Sequence, residues 1–196
     1  MKTLLATTFL VLLVSACATP HVPLAPVTFD QSASVSSDKT VKVHLVSGAV
    51  RGSAGSTLMP VGTIFVPIST GPYPHLQFNV EDQRVFVDSF RNELQRLKVF
   101  RAALEDRSVE TADFAIQVIF AQTFHNPNHQ EYTLDVVMEM AGGAKPFLKQ
   151  YRVVSSEGDS WWEKMNTNAS EGKIKAGKKL LRQLIPDVET YIAKSR

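Results

Sequence analysis

Two runs of alternating residues constrain this chain more than any other feature. Phe114, Ile116, Val118 and Phe120 recur at every second position. After a tip from Phe124 to His129, Tyr132, Leu134, Val136, Met138 and Met140 stand opposite Glu131, Thr133, Asp135 and Glu139. A period of two places each apolar set on one face of a sheet, so the pair predicts a hairpin whose apolar face must be covered. Gly142 and Gly143 turn the chain into a further strand over 147–155, which makes a three-stranded meander. Upstream, Val41, Val43 and Leu45 alternate with Lys42 and His44 in a strand, and Ile64 to Ile68 form a second short one. Between them Gly48, Gly52, Gly55 and Gly62 among small residues predict a flexible loop.

Two helices are expected to supply the cover. After the break at Gly71, Pro72 and Pro74, Asn79 serves as an N-cap with Glu81 and Asp82 in the first turn, and Phe86, Phe90, Leu94 and Leu97 form one apolar stripe. From Trp161 to Lys194 a second stripe holds Leu180, Leu181, Leu184, Ile185, Val188, Tyr191 and Ile192, with Pro186 expected to kink or divide the helix. The order of elements predicts an α+β fold, a mainly antiparallel or mixed sheet with two helices packed on one face. At 196 residues, one domain is expected.

The compartment follows from the N-terminus. Met1 and Lys2 precede an apolar stretch from Leu4 to Val14, too short to span a bilayer, and the chain's one cysteine, Cys17, comes just after it. One cysteine excludes an intrachain disulfide framework and any Cys-rich metal site. The run Val14, Ser15, Ala16, Cys17 resembles the lipobox of bacterial lipoproteins. That resemblance implies a signal peptide over 1–16, a diacylglyceryl thioether on Cys17, cleavage before it and acylation of its new amino group. Several acyl chains, at about 0.8 kcal/mol per buried CH₂, hold a protein on a membrane where one alone is marginal. The same layout also fits an ordinary secretory signal cut after Ala16 or Ala18. With Ala18 rather than Asp after the cysteine, the sorting pattern of enteric lipoproteins implies the periplasmic face of the outer membrane of a Gram-negative bacterium. Pro20, Pro23, Pro26 and the serines at 32, 34, 36 and 37 make 17–40 read as a flexible tether, and 41–196 as one periplasmic domain.

Catalytic chemistry finds little to stand on. There is no Gly-x-Ser-x-Gly elbow, and Gly52-Ser53-Ala54-Gly55-Ser56 lacks the lysine of a phosphate loop. His125 and His129, with Glu131 nearby, have ligand-like spacing but flank a turn, so a solvated hairpin tip is the expected reading. The pairs Glu81 with Asp82 and Glu105 with Asp106 read as a helix start and a solvated helix end. No catalytic residue, cofactor or metal is expected, and a net charge of +2 gives no drive toward nucleic acid. The strongest feature outside the core is a basic helix face of Lys175, Lys178, Lys179 and Arg182, with Trp161 and Trp162 just before it. One tryptophan is expected to be buried and the other exposed as a contact anchor.

The stretch Leu97-Lys98-Val99-Phe100-Arg101-Ala102-Ala103-Leu104, followed by Ala112-Asp113-Phe114-Ala115-Ile116, resembles a pattern of small envelope lipoproteins, in which a helix ends near Leu and Phe and a strand opens on Ala-Asp-aromatic. It is similar to auxiliary lipoproteins of envelope transport systems and to lipoproteins of polysaccharide and curli secretion. The resemblance implies a structural or accessory subunit of an envelope assembly, acting by protein–protein contact or as a homo-oligomer. The alternative is a carrier of a lipid or glycan, with Phe86, Phe90 and Met138 lining an apolar pocket.

Overall fold

The computed structural model describes residues 21–47, 49–52, 55–61, 64–70, 76–127 and 129–195. The expected signal segment 1–16, Cys17 and Ala18 lie outside the described residues, as do Ser53, Ala54 and His75. Among the described residues, eight strands and three helices follow in chain order: β1 (Thr40–Val46), β2 (Ala49–Gly52), β3 (Gly55–Val61), β4 (Ile64–Thr70), α1 (Val80–Arg96), β5 (Ala102–Glu105), β6 (Phe114–Asn126), β7 (Glu131–Ala141), β8 (Phe147–Val154), α2 (Trp161–Asn166) and α3 (Ala169–Lys194).

The main sheet has the order β5-β1-β6-β7-β8, with β2 also paired to β6. β6, β7 and β8 form the expected antiparallel meander, while β1 lies parallel to both β5 and β6, so the sheet is mixed and the fold is α+β. The register carries the alternation across strands: Val43 pairs with Ile116, Ile116 with Met140, and Val136 with both Phe120 and Tyr151. A bulge between Phe120 and Gln122 shifts the parity of β6, so that Phe120 before it and Thr123 and His125 after it all turn inward. The residues from Asp106 to Asp113 then run back across β1: Asp106 contacts the His44 ring, Ser108 accepts from Lys42 at 2.8 Å, and Asp113 accepts from Thr40 at 2.8 Å.

Both long helices lie on the apolar face. Phe86, Phe90 and Leu94 of α1, and Leu180, Leu181, Leu184, Ile185 and Val188 of α3, are fully buried with the inward strand residues. Each such side chain contributes about 1.5–3 kcal/mol relative to exposure. Phe120 sits between Phe78, stacked at 5.9 Å, and Phe86, edge-on at 5.8 Å. Phe86, Phe90 and Met138 are therefore core filling rather than the lining of a ligand pocket.

α1 opens on the expected cap, with Asn79 accepting from the N–H of Glu81 and Asp82 while Asp82 accepts from the Asn79 N–H. It closes on a Schellman motif in which the Val99 N–H reaches the Leu94 carbonyl and the Lys98 N–H reaches Gln95, which places Lys98 at φ 58°. Thus the Leu97–Phe100 pattern is a helix stop. Asp113 of the Ala-Asp-aromatic pattern is a clamp whose carboxylate accepts from both the N–H and the hydroxyl of Thr40 and whose own N–H donates to the Thr40 hydroxyl oxygen. These two bonds to Thr40 hold the Asp113 carboxyl below the usual carboxylate range.

Several expectations are corrected. The glycine-rich stretch from Gly48 to Gly62 is not one loop: it contains β2 and β3, and β3 forms a separate hairpin with β4, pairing Thr57 with Ile68 and Val61 with Ile64. Small residues there hide the period-two signal. Glu105 and Asp106 do not end a helix, since Glu105 closes the short strand β5, which has only four residues in which to show alternation. The helical stretch after Trp161 is two helices, because Thr167 is extended and Asn168 opens a new capping box with Glu171. Pro186 does not divide α3, which runs through it to Lys194.

Candidate functional site

The expectation of a flexible tether over 17–40 does not hold for its described part. From His21 the chain is a strap laid along α1 and α3, and Leu24, Val27 and Phe29 are core residues. Its backbone N–H groups are met one after another by side chains of α1. Leu24 donates to Asp82 at 2.6 Å, Val27 to Ser89 at 3.1 Å, and Phe29 to Glu93 at 3.0 Å. The spacing has a geometric reason. Five extended residues at about 3.3 Å each span the same length as eleven helical residues at about 1.5 Å each. Pro23 and Pro26, which suggested flexibility, are exposed positions of the strap and favour an extended chain.

On its other side the strap is held by α3. Lys173 donates to the Val22 carbonyl, and Asp30 lies 3.9 Å from Lys178 and 3.5 Å from Arg182. Ser34 donates from N–H and hydroxyl to Glu189, at 2.6 and 3.1 Å. Arg96 closes the far end, donating to the Phe29 carbonyl at 2.8 Å while paired with Glu93. Gly177 matters here, because a Cβ on it would meet Val27 at 3.0 Å and Phe86 at 3.6 Å.

The near end is pinned by a buried ion pair. Lys173 and Asp82 meet at 2.8 Å with side chains 0% and 1% exposed. Asp82 also accepts from Leu24 and Asn79 and lies 3.4 Å from His21 Nε2. Burial pushes the Lys173 ammonium below its ordinary range, and the Asp82 carboxylate opposes that shift. The Lys173 ammonium lies 6.0 Å from the centre of the Tyr132 ring, whose hydroxyl donates to the Leu76 carbonyl at 2.7 Å. Burial, reinforced by the Asp82 charge, pushes the Tyr132 hydroxyl up. Gly172 admits this approach of α3 to the β6–β7 turn, since a Cβ there would lie 2.3 Å from the Gln130 carbonyl oxygen and 2.8 Å from the Tyr132 ring.

The sequence candidates fall differently from expectation. Trp161 and Trp162 are both 69% exposed, with ring centroids 6.1 Å apart, on a helix in which no residue is buried. Neither is a core residue, because α2 is a single capped turn and a half. The basic residues are largely committed within the chain. Lys175 pairs with Asp159 at 2.7 Å, Lys179 donates to the carbonyls of Val154 and Glu157, and Lys178 and Arg182 face Asp30. They fasten the β8–α2 connection and the strap rather than forming a free cationic face.

His125 and His129 are not brought together as ligands: His125 is buried, stacked on Tyr132 at 4.6 Å and 3.2 Å from Gln130, while His129 is exposed. No group of three His, Cys, Asp or Glu side chains suited to a metal occurs among the described residues. A cleft of about 400 Å³ lies over β1, α1 and the end of β5, but its charges are matched, with Arg91 bridging Asp88 at 3.1 Å and Glu105 at 3.5 Å. None of the described helices is long and apolar enough to cross a membrane.

No known family profile matches the chain, and no curated protein sequence does. Among solved structures, the Xanthomonas campestris protein XCC0632, of the DUF330 family, superposes with a TM-score of 0.50 at 11% identity, over 89% of this chain and 95% of that one. The Chlamydia trachomatis hypothetical protein CT253 covers 79% of this chain and 98% of its own, at 10% identity and a TM-score of 0.43. The likeness to XCC0632 is one of fold.

Proposed function

We propose that this chain is a lipoprotein anchored through acylated Cys17 to the periplasmic face of the outer membrane, where it serves as a structural or accessory subunit of an envelope assembly through protein–protein contacts. The observation that carries this reading is the strap. Only Ala18, Thr19 and Pro20 separate Cys17 from His21, where the docked chain begins. A lipid on Cys17 therefore sits at the end of a short connection to a buried, hydrogen-bonded segment, not at the end of a long free tether. Four residue steps reach at most about 14 Å. Such a domain is held close to its membrane, and that confinement raises its effective concentration for a partner anchored alongside.

The test is the mass of complexes gently extracted from membranes, with co-purifying proteins identified, for the native chain and for Cys17→Ala. The acyl mass on the Cys17 peptide is read in parallel. An acylated chain in a discrete assembly that leaves the membrane fraction on Cys17→Ala supports the reading. A lone acylated monomer refutes the subunit role, and an unmodified Cys17 refutes the anchor.

A further inference from the structure

Three exposed apolar side chains stand together on α2, beside the first turns of α3, where the strap leads back toward Cys17. Trp161 and Trp162, each 69% exposed, and Met165, 52% exposed, project from α2. Contacts already described place them there. His21 and Val22 touch Asp82 and Lys173, in the first turns of α1 and α3. α2 ends two residues before α3 begins. Lys175 ties Asp159 and Thr167, the two flanks of α2, to the early part of α3. The five residue steps from Asn168 to Lys173 are about 8 Å of helix, less than the reach of about 14 Å from His21 to Cys17.

We propose that Trp161, Trp162 and Met165 form an aromatic foot that enters the interfacial layer of the membrane carrying the Cys17 lipid. The spacing from Trp161 and Trp162 to Met165, four and three residues, puts the three side chains on one side of α2. Tryptophan's apolar body and polar N–H suit the headgroup level of a bilayer. On α2 and its flanks Asp159, Glu163 and Glu171 outnumber Lys164 and Lys175, and Lys175 is paired with Asp159, so the surface it fits is a zwitterionic lipid layer held by apolar insertion rather than by charge. The capping box of Ser160 and Glu163 fixes α2 as a helix without any burial of its own side chains. With the strap locked at one side and the foot at the other, the domain has a set orientation on the membrane and not only a set distance. The inference rests on Cys17 as the anchor, and the experiment separates the two.

Trp161 and Trp162 are the only tryptophans in the chain, so their fluorescence reports on the foot alone. The full-length protein purified from membranes is reconstituted into phosphatidylcholine vesicles, with or without lipids brominated near the headgroup end of the acyl chain. Acylation of Cys17 and sedimentation with vesicles are measured on the same sample. The expected result is emission quenched at least two-fold by the brominated lipid, restricted access for acrylamide, and no change in either at high salt. An acylated, sedimenting protein whose emission is unquenched overturns the foot and leaves the anchor standing. If Cys17 is unmodified, the same chain added to preformed vesicles decides: quenching supports the foot without the anchor, and its absence overturns the foot.

Discussion

Replacing Asp82 with alanine strands the Lys173 ammonium in a site where it has 0% exposure, leaving it the Val22 carbonyl and a distant Tyr132 ring. Removing one partner of a buried pair costs about 3–5 kcal/mol. The same change removes the acceptor for the Leu24 N–H, and an unpaired buried donor costs about 1–3 kcal/mol. These losses overlap, so we expect Asp82→Ala to destabilise by about 4 kcal/mol. Lys173→Met is milder, about 2–3 kcal/mol, because Asp82 keeps two backbone N–H donors. The double variant buries no charge and loses mainly the Leu24 and cap bonds, so its cost falls to about 2 kcal/mol, below that of Asp82→Ala alone. With a urea slope of about 2 kcal/mol/M, the midpoint should drop by about 2 M, 1 M and 1 M respectively. A double variant as unstable as the sum of the two singles would show that the residues do not act as a pair and would refute the reasoning.

Gly172→Ala should cost about 2–3 kcal/mol, since its new methyl meets a carbonyl oxygen and a ring held by a hydrogen bond, while Gly177→Ala, opposed by side chains and aided by helix propensity, should cost about 1 kcal/mol or less. Thermal denaturation of the two variants checks the ranking, and equal midpoints would contradict it. Lys98→Gly should stabilise by about 1 kcal/mol by relieving the positive φ at the α1 stop, measurable as a higher urea midpoint. At alkaline pH, Tyr132 and Tyr151 have hydroxyl pKa values raised chiefly by burial. The folded state keeps those protons, so their contribution is full below the ordinary tyrosine pKa of about 10 and declines as pH rises above it. Tyrosinate absorbance from these two residues should therefore appear together with loss of near-ultraviolet dichroism, and its appearance in a still-folded protein would be the contrary result.

The sheet and its helices were legible where burial is one-sided and elements are long. β6, β7 and α1 show their periods because their buried faces alternate with exposed ones over ten residues or more. β2, β3 and β5 escaped, being short or built of small residues. The strap escaped for a different reason. Its apolar residues, Leu24, Val27 and Phe29, follow neither a helical nor a strand period, because the chain is paired with helix side chains rather than with another strand. Proline and serine content then read as looseness. One signal did exist: Asp82, Ser89 and Glu93 are polar residues on the inner side of α1, spaced by seven and four, and all three are buried. A polar row on a helix face that should be apolar announces a backbone to be satisfied. The basic residues of α3 carried the opposite lesson, since their partners Asp30, Asp159 and Glu157 are set by tertiary contacts that local sequence does not display.

The strap also sets an order of events. Its bonds to α3 join residues separated by 151 to 155 positions in a chain of 196. Contacts of such separation carry the largest loop-closure entropy and cannot form until the last helix has been made. The strap is thus among the last segments to find its place, and residues 21–35 stay uncovered until then. A chain truncated before Lys173 should leave residues 21–35 open to limited proteolysis, whereas the complete chain should shield them. Formation of α3 therefore sets when the strap can close over the helices.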